Sequence, residues 1–496
     1  MKKGFIIFQI DGLSFNDFKE AIQRGQAPFL RSLVQKQNFK IQKAHCSLSP
    51  LSRLVCLMYG KKEEFPGLTW FDKKKNRFIS MYNLSDIKEF DRRLKNGILE
   101  KGSTIGAIFS GGSKESLGSV ATIDGPSLSA LLSSFSRLEI FFYLLSAFFM
   151  IFADLIVALF TRLKKGAIFE GVFIEQMLHV YTSELAQRTI KKGAPSLYVN
   201  FTAYDRRCHR LGKKNILTKS SVKKIDREIK KICGLAQKTN LVDYDFFFIS
   251  DHGQQDSTPF KDYFKESLKE TIKSNLKIDV IDGSDAEKGI IIHQVEELLN
   301  DVRWLKRISW FLRFLARRYY HRYCLSFAPG RIILVSQGDV AHLYFNIKKS
   351  RIFGEEIEKK YTGFLRFLSN HKGIEFLVFL SRRGIKILGK GGEIALSENK
   401  EKIKGQDPLS KVFDRELILS FIKELAEMKS SGDVIIFSSK INNKLLTFAP
   451  YFSCHAGIDK NEQEAFLIVP ASFKMSLKDI EDPQKIYQFF RKYSKK

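Results

Sequence analysis

Short apolar runs separated by long charged stretches constrain this chain most. Phe5–Ile10, Ser196–Phe201, Asp245–Ile249, Ile332–Ser336, Glu375–Leu380 and Val434–Phe437 are four to six residues each and rich in β-branched and aromatic side chains. Helical, charged segments such as Lys219–Ala236 and Phe353–Leu368 lie between them. This alternation predicts an α/β fold with a mostly parallel central sheet flanked by helices. No internal repeat is visible. A length of 496 residues is enough for a large core and two to four domain-sized units.

The N-terminus, MKKGFIIFQIDG, reads as a first strand, because its apolar run is too short for a signal peptide and no cleavage site follows. The six cysteines (46, 56, 208, 233, 324 and 454) form no CxxC and read as reduced thiols. Both features predict a cytoplasmic chain. The balance of 82 Lys and Arg against 54 Asp and Glu gives a net charge of +28. That excess favours an anionic partner, such as a phosphorylated substrate or an acidic membrane surface. It has no basic tail, zinc finger or RNA-binding motif beside it, so specific nucleic-acid binding is not expected.

Two segments interrupt the alternation. Ile140–Phe160 holds 21 residues with one charge, Asp154, and is followed by Arg162, Lys164 and Lys165. By length it suffices to span a bilayer. Trp304–Tyr320 places Trp304, Leu305, Ile308, Phe311, Leu312 and Leu315 on one helical face, with most of its Lys and Arg elsewhere. An aromatic face opposite a basic one suits an interfacial helix. Burial in the core or between domains is the alternative for both segments.

The chemistry lies at the ends of the apolar runs. FFFIS (246–250) leads into Asp251 and His252, and Phe5–Ile10 leads into Asp11 and Gly12. LYVNFTAYDRRCH carries Asp205 and His209 four residues apart, and FSCHAG carries His455. One strand-end Asp is usually a turn former or helix cap. Four such ends sharing Asp and His are a pattern, because open α/β sheets gather functional groups at the carboxyl ends of their strands. Carboxylate with imidazole suits zinc, or manganese in a more oxygen-rich site. Six ligands suit two divalent ions about 4 Å apart, an arrangement that clamps the attacking and leaving oxygens of a phosphoryl displacement.

IIFQIDGLS, the Asp-x3-His of Asp205 and His209, SDHGQ and the late His-x-Gly, in this order along nearly the whole chain, resemble the alkaline phosphatase superfamily. The resemblance is to its type I phosphodiesterase/nucleotide pyrophosphatase branch. PGLTWFDKK (66–74), GDVAHLYF (338–345), HKGIEFLV (371–378) and GQDPL (405–409) resemble a membrane-associated bacterial subgroup. The resemblance implies an alkaline phosphatase-like sheet with an inserted hydrophobic helical segment. It also implies one metal held by Asp205, His209 and His455, and another held by Asp11, Asp251 and His252 with a Ser or Thr nucleophile. Ser49, 38 residues after Asp11 and directly before Pro50, is the expected nucleophile and metal contact, with Ser47 and Ser52 as alternatives. Sulfatases need Cys or Ser two residues before the Pro and Arg two after. Here Leu48 and Arg53 miss that pattern, so a sulfatase is not expected. Cys208 and Cys454 read as packing residues beside the ligands. His45 is weighed as a leaving-group contact and Asn200 as a substrate contact.

The ligands flank Ile140–Phe160, and a single crossing would split the site between compartments. Twenty-one residues are too few for two crossings of about 20 residues each. A monotopic or re-entrant attachment at the cytoplasmic face of the bacterial inner membrane is therefore expected, which agrees with the basic flank. The expected division is core over 1–130, hydrophobic insertion over 131–190, core over 191–275, basic amphipathic insertion over 276–330 and core over 331–496. The expected function is a two-metal phosphoric ester hydrolase with a covalent phospho-enzyme. Nucleotides, phospholipid headgroups and sugar phosphates all fit as substrates. A phosphotransferase to a lipid or glycan shares every residue named, and a catalytically silent membrane-binding protein is the alternative of another class.

Overall fold

The computed structural model describes residues 2–36, 39–45, 49–113, 119–122, 175–283, 330–397, 400–473 and 482–493, with a few helical positions between 145 and 156. Most of Ile140–Phe160 and all of Trp304–Tyr320 lie outside the described residues, as do the greater parts of the expected insertions. No helix among the described residues is long and apolar enough to cross a membrane.

The central sheet has six strands in the order Phe39–His45, Glu464–Pro470, Val242–Ile249, Lys2–Ile10, Ser196–Phe201 and Ser103–Ile105. The last four run parallel to one another, and Glu464–Pro470 is antiparallel to both its neighbours. Successive side chains face opposite layers. Ile6, Phe8, Ile10, Phe246 and Phe248 pack with helices Glu175–Lys191 and Ile216–Lys238. Phe5, Ile7, Phe247 and Ile249 pack on the other side with helices Pro50–Tyr59 and Pro483–Tyr493. The long helix Ile216–Lys238 starts where the Asn215 side chain accepts the Leu217 N–H at 2.9 Å. Its buried Val222, Ile225, Ile229, Ile232 and Ala236 recur every three or four residues.

Three of the six apolar runs belong elsewhere. Ile332–Gln337, Ile374–Ser381 and Val434–Ser438 sit in a second, eight-stranded sheet in which every pairing but one is antiparallel. The parallel sheet expected from the sequence is thus one of four among the described residues. A fully buried run carries no sign of its partner's direction, so periodicity could not separate them. Phe353–Leu368 is also two helices, Gly354–Lys360 and Phe364–Asn370, divided where Gly363 takes φ +80°.

The sheets are joined. Ile333, Val335 and Tyr344 of the second sheet enter the same core as Phe5 and Phe247. Buried Lys73, just past strand Thr69–Asp72, pairs with buried Asp433 at 2.9 Å. Asp433 also accepts the backbone N–H of Phe345 at 2.7 Å and of Ile352 at 2.8 Å. Asp433→Leu should strand the Lys73 ammonium and two backbone donors and cost about 3–5 kcal/mol in urea unfolding. A loss below about 1 kcal/mol would mean that this pair does not hold the junction.

Candidate metal centre

All six ligand candidates converge at the carboxyl end of the parallel strands. The register Ile10↔Phe201 and Gln9↔Ile249 brings the ends of Lys2–Ile10, Ser196–Phe201 and Val242–Ile249 to one edge. Asp11 follows the first of these strands, and its N–H donates to the Phe201 carbonyl at 3.1 Å. Asp205 and His209 lie on helix Ala203–Leu211, one turn apart on the same face. Asp251 and His252 follow the third strand. His455 follows strand Ser453–Cys454, which pairs with Gln255–Pro259 immediately downstream of His252.

Two glycines make the convergence possible. Gly12 has φ +72°, and a Cβ there would lie 2.7 Å from Asp205 Oδ1. A Cβ on Gly253 would lie 1.9 Å from the Asn461 carbonyl oxygen.

The imidazoles present Nε2 to the carboxylates. His252 Nε2 is 3.4 Å from Asp11 Oδ1 and 3.5 Å from Asp251 Oδ2. His209 Nε2 is 3.5 Å from Asp205 Oδ2, and His455 Nε2 is 3.5 Å from Asp205 Oδ1. The Nδ1–H of His209 donates to the Ser453 carbonyl at 2.8 Å, and that of His252 to the Gly253 carbonyl at 2.9 Å. A carbonyl at Nδ1 fixes the tautomer that leaves an Nε2 lone pair for a cation. One atom each from Asp11, Asp251 and His252 lie within 4.8 Å of one another, as do one each from Asp205, His252 and His455. The rings of His252 and His455 stack at 3.7 Å, so the two groups adjoin.

The electrostatics are those of crowded like charges. Burial, and then the neighbouring Asp11, push the Asp251 carboxyl up to about 7. Burial works against a charged His252, yet Asp251, Asp11 and Asp205 together hold its imidazolium well above the usual range. His455 is pushed well down by burial and by His252. Asp205 is raised by burial but held well below the usual carboxylate range by His209 and His455. Among the described residues, these oxygen and nitrogen donors fit divalent cations of the zinc or manganese class.

Ser49 takes a different place. It caps helix Pro50–Tyr59, and its hydroxyl bonds with Ser52 Oγ at 2.9 Å and donates to the Phe65 carbonyl at 2.8 Å. Its neighbour Pro50 lines a small cavity with His252 and His455. The Ser52 hydroxyl donates to the Glu63 carbonyl at 2.9 Å. Ser47 lies outside the described residues, as does the side chain of His45. The Asn200 amide donates to Asp11 Oδ2 at 3.3 Å and to the Gly106 carbonyl at 3.4 Å.

Sequence reasoning gave no role to Gln254 or Ser453. The Gln254 amide donates to Asp205, and its carbonyl oxygen accepts the Ser453 hydroxyl at 3.0 Å. Ser453 in turn accepts from His209, so this pair holds two ligands in place. The only signal was the position of Gln254, two residues past His252 in SDHGQ. Ala456, directly after His455, has φ +140°. Ala456→Gly should therefore be neutral or raise the melting temperature, and Ala456→Val should lower stability by about 1–3 kcal/mol. Equal melting temperatures for wild type, Gly and Val would remove backbone strain from this loop.

The type I phosphodiesterase/nucleotide pyrophosphatase family model matches residues 158–305. No curated protein matches the chain. Similar solved structures include phosphonoacetate hydrolase from Sinorhizobium meliloti 1021 in complex with phosphonoformate, at 12% identity over 99% of this chain and 96% of that one, with a TM-score of 0.44. Wild-type alkaline phosphatase PafA is 12% identical over 97% of this chain and 95% of that one, with a TM-score of 0.45. Murine ectonucleotide pyrophosphatase/phosphodiesterase 5 is 10% identical over 99% of this chain and 95% of that one, also with a TM-score of 0.45. The matched stretch contains Asp205, His209, Asp251 and His252.

Proposed function

We propose that this chain is a metal-dependent phosphoric ester hydrolase of the phosphodiesterase or nucleotide pyrophosphatase type, working at a membrane surface. The observation that carries the reading is the cluster of Asp11, Asp205, His209, Asp251, His252 and His455, with imidazole Nε2 atoms turned toward carboxylates. Asp205, His209 and His455 would hold one divalent ion, and Asp11, Asp251 and His252 the other. When bound, such a pair supplies Lewis acidity to the attacking and leaving oxygens.

The chain's own groups have defined tasks. Ser49 Oγ would attack phosphorus, forming an Oγ–P bond while the P–O bond to the departing alcohol breaks. Water would then cleave the Oγ–P bond and restore the hydroxyl. For attack, the Ser49 side chain must turn from the Phe65 carbonyl toward the cavity that Pro50 shares with His252 and His455. Asn200 holds Asp11 in position, and Gln254 does the same for Asp205.

Membrane attachment is supported by Ile140–Phe160 and by its exposed Phe148, Phe149 and Phe152. The division into a discontinuous core with insertions at 131–190 and 276–330 belongs to the same proposal. So does a phosphate-ester substrate: a nucleotide, a phospholipid headgroup or a sugar phosphate.

Detergent-purified protein loaded with zinc or manganese should hydrolyse bis-p-nitrophenyl phosphate. Asp251→Ala should abolish the activity, and Ser49→Ala should lower it by about 10³-fold or more. An unaffected Ser49→Ala with an inactive Ser47→Ala would move the nucleophile to Ser47. Loaded protein that hydrolyses neither diester nor monoester, with or without an acceptor alcohol, would overturn the reading. Retained metal and transfer only to an added alcohol would mark a phosphotransferase.

Metal uptake should also depend on pH. The free site keeps a proton on Asp251 up to about 7 and on His252 beyond its usual range, and a cation must displace both. Competition with a chromophoric chelator should show affinity falling as pH drops from 8 through 6, with proton release on binding. Equal affinity at both pH values would contradict this assignment.

A further inference from the structure

A second ligand-type cluster lies beside the first. Asp339 occupies the turn between strands Ile332–Gln337 and Val340–Phe345, Cys454 directly precedes His455, and Glu462 sits in the short helix Lys460–Gln463. One ligand atom from each lies within 4.8 Å of the others, and the three residues are 2%, 0% and 2% exposed. Cys454 Sγ is 3.7 Å from Glu462 Oε1, while Glu462 Oε2 accepts the Asp459 N–H at 3.0 Å. Asp339 Oδ1 is buried and has no hydrogen-bond partner among the described residues. Gln463 Oε1, beside Glu462, is in the same condition. Lys440, the cation paired with neighbouring Asp459, is engaged there at 2.8 Å. Two buried carboxylates facing each other without a cation are costly, and an orphaned buried acceptor adds to that cost.

We propose that Asp339, Cys454 and Glu462 form a further metal site, for a divalent cation of the zinc class. Thiolate with two carboxylates selects zinc over magnesium or calcium. Zinc–sulfur and zinc–oxygen bonds of about 2.3 and 2.0 Å at a tetrahedral angle separate S and O by about 3.5 Å. The observed 3.7 Å needs almost no movement. A Cβ at Gly457 would fall 1.8 Å from Asp339 Oδ2, so glycine there leaves room for the carboxylate. Binding forms the S–metal bond and releases the thiol proton to solvent. The ion would fasten the turn of the second sheet to the strand that delivers His455. Its task is positioning, and it stands apart from the hydrolase reading.

The test uses cobalt(II) as a spectroscopic probe and zinc for stoichiometry, on the full chain. Cobalt-loaded wild type should show a thiolate-to-cobalt charge-transfer band. Cys454→Ser should remove the band, and Cys208→Ser should leave it. After equilibration at a fixed free zinc concentration, Glu462→Gln and Asp339→Asn should each carry one zinc per chain fewer than wild type, however many the Asp/His cluster holds. Glu462→Gln preserves shape and keeps the comparison open if Cys454→Ser fails to fold. The proposal is overturned if wild type lacks the band, or if the variants bind as much zinc as wild type. In that case a proton shared between Asp339 and Glu462 accounts for the cluster. Phosphodiester hydrolysis enters neither readout, so the two proposals fail separately.

Discussion

Mutual repulsion among Asp11, Asp205 and Asp251 is the constraint around which the rest is arranged. Three carboxylates at one sheet edge would separate if they were free to do so. They are held by the parallel register of three buried strands and by the first turn of helix Ala203–Leu211. Phe8, Phe246, Phe248 and their neighbours supply the rigid apolar layer beneath. The strain therefore appears as protonation rather than movement, with the Asp251 carboxyl pushed up to about 7 and the His252 imidazolium held well above its usual range. Such a site is poised for positive charge, because cations would relieve the repulsion that the fold cannot relieve by relaxing.

Much of this was legible because the carboxyl ends of buried strands are marked in the sequence. An apolar run that stops at Asp-His or Asp-Gly announces both a strand and what lies at its end. Asp11, Asp251 and His252 are marked that way, while Asp205, His209 and His455 lie shortly after an apolar run or in a Gly-containing loop. The second sheet was not legible. Val434–Ser438 and Ile374–Ser381 are buried on both faces, so they read like strands of a parallel sheet although they pair antiparallel. Gln254 and Ser453 were missed because their roles depend on a contact between residues 199 positions apart.

Ser49 shows another limit. The sequence places it at the right distance from Asp11, before a proline that starts a helix. The same features make it an N-cap, and its hydroxyl is satisfied locally by Ser52 and Phe65. One side chain thus has two candidate uses.

The junction between the sheets explains why the last ligand comes so late in the chain. His455 follows a two-residue strand that is too short to be stable alone. It is held by Gln255–Pro259 on one side, by the Gly338 turn, where an added Cβ would lie 3.0 Å from the Cys454 Cβ, and by the nearby bond in which the Glu462 carbonyl accepts the Gly253 N–H. The Gly338 turn belongs to the antiparallel sheet, and the other two contacts join residues just past His252 to the chain on either side of His455. The second sheet thus reaches the site through this turn, beside the residue that precedes His455.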